Sequence, residues 1–115
     1  MRTLEQATAI CPSDRRLLVE LKRIVRARLD QAEVLLYGSV ARGTQDAESD
    51  YDILILTDRP VPRARQNAIR GEVFDWELNE GVVFSLLFRD RKGWESAVNG
   101  LSPFHEAVEK EAVKL

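Results

Sequence analysis

The sequence predicts an α/β fold, and three observations carry that prediction. Helical and strand periodicities alternate along the chain. Two short apolar runs stop at Gly38-Ser39 and at Asp58-Arg59-Pro60, and a third begins after Gly81. No repeat, low-complexity tract or linker interrupts the pattern. The expected order is α-β-α-β-α-β-α within a single domain, residues 1–115. A chain of this length buries roughly two-thirds of its unfolded surface, enough for one core but not for a second catalytic or binding domain.

In residues 13–30, Leu17, Leu18, Leu21, Ile24, Val25 and Leu29 recur at three- and four-residue spacings, with Arg15, Arg16, Lys22, Arg23, Arg26 and Arg28 between them. That is an amphipathic helix with a solvated arginine face, and Pro12-Ser13-Asp14 offers its N-cap. Residues 33–37 and 52–57 are apolar runs expected to be buried strands. Residues 40–49 are too polar for a strand and read as a helical turn followed by a loop, with Gly43 ending the turn. In 63–80, Ile69, Val73 and Trp76 share one helical stripe, although Phe74, Trp76 and Leu78 also suit a strand alternating with Asp75 and Glu77. Helix is the expected form. Residues 82–88 are the third and most apolar strand, followed by helical pieces containing Trp94 and Phe104.

Composition removes several classes of function. With 17 Lys+Arg against 19 Asp+Glu and a net charge of −2, the chain is not built to hold nucleic acid by bulk phosphate neutralisation. Cys11 is the one cysteine, so no intrachain disulfide or cysteine-rich zinc cluster can form, and it is expected as a small packed residue. An acidic Glu5 and the lack of any long apolar run argue against a signal peptide or a membrane span, which leads to an expected cytoplasmic location.

The chemistry-bearing constellation is Gly38-Ser39, ten intervening residues, then Asp50-Tyr51-Asp52 leading into Ile53. Side chains alternate along a strand, so Asp50 and Asp52 share a face on which two carboxylates can hold one or two hard divalent cations, and Tyr51 points the other way. Gly38-Ser39 lies between a strand end and a helical turn, where backbone amides and the Ser39 hydroxyl can receive a phosphate. Arg42 follows about one turn later and can neutralise a polyphosphate, while Gly43 lets the chain turn away. A metal-binding carboxylate pair facing a phosphate cradle suits nucleotidyl transfer, and hydrolysis would use similar parts.

Gly38-Ser39-x-x-Arg42-Gly43 followed by Asp50-x-Asp52 resembles the signature of the DNA polymerase β-like nucleotidyltransferase superfamily, and the chain length points to its minimal nucleotidyltransferase (MNT) branch. The resemblance runs from the N-terminal helix through residues 37–43 and 49–54 to a weaker tail match at 102–108. It implies a small mixed sheet flanked by helices, Mg²⁺ on Asp50 and Asp52, and ATP or another NTP as substrate. Its phosphates would lie at Gly38 and Ser39, with Arg42 and Gly43 beside them. It further implies a two-gene toxin–antitoxin pair in which the MNT member is the antitoxin. Its partner would be a HEPN-type helical toxin that can receive AMP on a tyrosine. A non-catalytic antitoxin acting by binding is the alternative; a small molecule or RNA as acceptor fits less well, because no acceptor domain is present. Homo-oligomerisation stays open.

Members with full activity place a third carboxylate on the next core strand, and here that strand offers Ser85, otherwise expected as a hydrogen-bonded core serine. A hydroxyl is a weak base and a poor ligand for hard cations. Asp75 or Glu77 can supply the acid if residues 73–79 form a strand. His105, in a polar C-terminal helix with Glu106 and Glu109, is expected at the surface, whereas Trp76, Trp94 and Phe104 are expected in the core or at its rim.

Overall fold

The computed structural model describes residues 1–44, 50–96 and 102–115. Its elements are β1 (Arg2–Thr3), α1 (Pro12–Arg28), β2 (Glu33–Tyr37), α2 (Gly38–Arg42), β3 (Tyr51–Thr57), α3 (Arg63–Glu80), β4 (Phe84–Asp90), α4 (Arg91–Trp94), α5 (Pro103–Glu111) and β5 (Val113–Lys114). The strands form one mixed sheet in the order β1-β5-β2-β3-β4. β2 is antiparallel to both β3 and β5, whereas β3 and β4 run parallel, as do β1 and β5. No helix among the described residues is long and apolar enough to cross a membrane.

Period-two alternation along β3 divides the core. Ile53 and Ile55 join Leu18, Leu21 and Val25 of α1 and Ile69 and Val73 of α3 in the larger cluster. Leu54 and Leu56 meet Trp94 of α4 and Val108 of α5 in the smaller one. The sheet therefore has helices on both faces, and residues 63–80 are helical, with the Ile69/Val73/Trp76 stripe turned inward and Phe74 and Leu78 exposed.

Several expectations are corrected. β1 and β5 are two-residue strands, too short to leave a periodic signal, so the element order gains a strand at each end. The N-cap of α1 is Cys11, whose side chain makes no capping bond to the helix backbone, and Pro12 occupies the first turn; Cys11 itself is exposed rather than packed. Asp14 instead accepts a hydrogen bond from the Tyr51 hydroxyl across the core edge. Tyr51→Phe is expected to lower stability by about 1 kcal/mol in urea unfolding, the usual worth of one such bond. Arg15 leaves the solvated face and donates to the carbonyls of Leu4, Ala7 and Ile10, pinning the N-terminal segment on α1. His105 is half-buried rather than freely exposed: its ring lies against Trp94 with centroids 4.4 Å apart, and Nε2 is buried. Trp94 is buried and Trp76 half-buried, while Phe104 remains 44 % exposed at the rim.

β4 is an edge strand with alternating burial, not a uniformly buried one. Phe84, Leu86 and Phe88 face the larger core, and Ser85 is exposed, which removes the core-serine reading.

Candidate active site

β2 ends at Tyr37, and the chain turns into α2 at Gly38 with φ +78°, a left-handed conformation that glycine adopts without strain. The missing side chain matters for a second reason. A Cβ on Gly38 would lie 2.2 Å from Asp52 Oδ2, so the bare α-carbon is what lets the Asp52 carboxylate lie against the turn. Sequence reasoning gave the missing side chain to the approach of a phosphate to the backbone amides; the structure adds that it also leaves room for the Asp52 carboxylate.

Strand register explains why Asp52 arrives there. Asp52 pairs with Tyr37 of β2 on one side and with Ser85 of β4 on the other, so the three side chains form a row across one face of the sheet. Ser85 thus stands on the next strand directly beside Asp52, the place where the resemblance expects a carboxylate. The Tyr37 ring packs edge-on against Phe104 of α5, with centroids 5.5 Å apart.

Burial raises the Asp52 carboxyl above the ordinary carboxylate range, and the like charge of Asp50 raises it further. Arg42 opposes that shift, and Glu111 adds to it. The Asp50 charge thus reaches Asp52, although Asp50 precedes β3 and is exposed. A raised carboxyl facing a like charge favours a divalent cation, and Mg²⁺ is commonly held by one or two carboxylates together with substrate phosphates. The donor set fits such an ion.

Asp75 and Glu77 do not complete the set as strand residues, because α3 is a helix there. Glu77 still comes near Asp50: its carboxylate accepts the Phe84 backbone N–H at 3.3 Å, and burial raises its pKa, with a smaller push from Asp50. Among the described residues no group of three His, Cys, Asp or Glu side chains could hold a metal ion.

Ser39 is the second residue of α2, and Arg42 is its last. Gly43, with φ +74°, closes this turn by donating its N–H to Val40 O at 3.2 Å, which is the expected role of ending the helix. The loop that follows, including Ser49 of the matched pattern, lies outside the described residues.

Sequence reasoning missed Glu111, at the end of α5. Its Oε1 accepts the Gly38 N–H at 3.2 Å, and its Oε2 accepts from Arg42 Nη1 at 3.0 Å. The contact spans most of the chain, and no local motif announces it.

Among proteins with related sequences, the chain is 40 % identical over 52 residues to a Methanocaldococcus jannaschii protein named "Putative protein adenylyltransferase MJ0141". The match covers 44 % of this chain and 50 % of the relative, so the chain spans half the length of the curated protein it matches. The pattern of the nucleotidyltransferase domain family, which matches residues 18–113, runs from within α1 to the first residue of β5, the Gly38 turn and the aspartate pair included. By that match the chain belongs to the nucleotidyltransferase domain family.

Proposed function

We propose that this nucleotidyltransferase moves NMP, specifically AMP, from an NTP to a hydroxyl of a partner protein in a Mg²⁺-dependent reaction, as the antitoxin of a HEPN/MNT pair. The observation that carries the reading is the packing of the Asp52 carboxylate against the Gly38 turn, with Arg42 at the far end of the same short helix. That packing supports a reading in which Asp52 and Arg42 serve one triphosphate. The name of the archaeal relative supports a protein as acceptor.

In this reading Asp50 and Asp52 hold Mg²⁺, Ser39 and the start of α2 receive the β- and γ-phosphates, and Arg42 offsets their charge. Bound Mg²⁺ supplies charge stabilisation on the phosphoryl oxygens. The acceptor oxygen forms a bond to the α-phosphorus as the bond to pyrophosphate breaks, and the hydroxyl proton is released to water. Gly43 acts through the turn that directs Arg42.

A second reading has a specific observation behind it. Ser85 stands beside Asp52 where a third carboxylate is expected, and no group of three metal-ligating side chains occurs among the described residues. A catalytically weak protein of this fold would neutralise its partner by binding alone.

Incubating the purified protein with Mg²⁺ and α-phosphate-labelled ATP in extract of its own host, beside Asp50→Asn/Asp52→Asn, separates the two. The expected result is label on one protein band with the wild type only. Label on RNA or a metabolite would redirect the acceptor. No label, with Mg-ATP binding retained, would leave the binding antitoxin.

A further inference from the structure

Glu111 is the group in the site that neither the motif nor the proposed chemistry uses. Its carboxylate accepts the Gly38 N–H at 3.2 Å and Arg42 Nη1 at 3.0 and 3.2 Å. It is also the better shielded member of the ion pair, with its side chain 20 % exposed against 49 % for Arg42. The backbone beneath it is fixed from three directions. Arg2 Nη2 donates to the carbonyls of both Glu111 and Ala41, tying α5 to α2. Ala112 N–H closes α5 on Val108 O. Val113 and Lys114 then pair with Leu36 and Leu35 of β2, the strand that delivers Gly38. Glu111 is thus mounted on the same rigid unit as the turn it touches.

The grip on Arg42 is one-sided. Both bonds to Glu111 come from Nη1, and among the described residues nothing is bonded to Nε or Nη2. A guanidinium is a planar fork, so fixing one nitrogen directs the others, and the flexible stem has less freedom left to lose when an anion arrives.

We infer that Glu111 is a positioning residue: it holds Arg42 and the Gly38 turn in place so that the remaining guanidinium N–H groups meet the polyphosphate of an incoming nucleoside triphosphate. This rests on the nucleotide reading given above. The opposite role is physically clear as well: a carboxylate on the Gly38 N–H could compete with phosphate. The one-nitrogen grip favours positioning, because a competing anion would be expected to engage the fork through both terminal nitrogens.

Calorimetric titration of the full chain with Mg-ATP, and separately with inorganic tripolyphosphate, tests this. Glu111→Ala is expected to weaken both ligands about fivefold, the scale of one partly exposed ion pair with its hydrogen bond. Glu111→Gln keeps an acceptor for both donors and is expected to restore most of the affinity. Glu111→Asp keeps the charge but shortens the reach, and is expected to behave like the alanine variant; it also stands in if that variant does not fold. If Glu111 acts through Arg42, Arg42→Ala/Glu111→Ala binds no more weakly than Arg42→Ala alone. Equal loss in both backgrounds would mean a general structural staple and would overturn the inference. Unchanged or tighter binding by Glu111→Ala would overturn it as well, the tighter case making Glu111 a competing anion. Wild type that binds neither ligand would remove the nucleotide reading and this inference with it. Wild type that binds as well as Glu111→Ala would remove this inference only.

Discussion

Asp52→Asn is expected to lower nucleotidyl transfer by about a thousandfold, the scale seen when a preorganised charge-stabilising group is removed from an active site. The fold should persist, because Asn is nearly isosteric and the Gly38 turn still has room for it. The same substitution is expected to raise the melting temperature at neutral pH. Burial and Asp50 raise the Asp52 carboxyl in the folded protein, so folding favours its protonated form. At pH below the unfolded carboxylate value, Asp52 is protonated in both states and imposes no penalty. As pH rises through the folded value the penalty becomes complete, so wild-type stability falls relative to Asp52→Asn. Melting curves of the two proteins should therefore converge in acid and separate towards pH 7, with the variant higher. A variant that melts lower at pH 7 would show that the ionised carboxylate stabilises the fold. Retained transfer would take Asp52 out of the mechanism.

Which parts of the fold were readable follows from the length of each element. α1 repeats its apolar stripe over several turns, and in α3 the shorter Ile69/Val73/Trp76 stripe favours helix although Phe74, Trp76 and Leu78 imitate a strand. β2 and β3 stand out because each is a run of apolar residues ended by turn chemistry. β1 and β5 are two residues each and owe their existence to pairing partners at the other end of the chain. The environment of Ser85 was misread for a related reason. An apolar stretch looks buried on both faces until the sheet order makes β4 an edge.

The site divides along the same line. Gly38, Ser39, Arg42, Gly43, Asp50 and Asp52 were legible because adjoining elements carry them at a fixed spacing, and β2–β3 pairing is local enough to bring Asp52 beside Tyr37 and Gly38. Glu111 was not legible, because it reaches Gly38 only after α5 has crossed the sheet, and its neighbours Lys110 and Ala112 give no hint of the partner. His105 was misplaced because a polar sequence around it says nothing about the indole of Trp94 onto which its ring folds.

Gly38→Ala carries the other large expected effect, and its value lies in separating backbone strain from displacement of Asp52. Among the described residues three glycines have positive φ: Gly38, Gly43 and Gly81. At Gly81, φ is +69° and an added Cβ would meet nothing within 4 Å, so Gly81→Ala isolates the left-handed penalty, about 1 kcal/mol, and should leave transfer unchanged. At Gly38 the same penalty applies, but the new methyl would also lie 2.2 Å from Asp52 Oδ2, a distance no real Cβ can keep. The carboxylate must therefore rotate away, and Gly38→Ala is expected to lose about 2 kcal/mol in urea unfolding, roughly twice the Gly81 figure. Transfer should fall about as far as in Asp52→Asn, because the carboxylate is present but no longer aimed at the turn. The decisive comparison is the double variant. If Gly38→Ala acts by displacing Asp52, then Gly38→Ala/Asp52→Asn transfers no more slowly than Asp52→Asn alone. A further large loss in the double variant would mean that the Gly38 backbone contributes to nucleotide binding independently of the carboxylate it shelters.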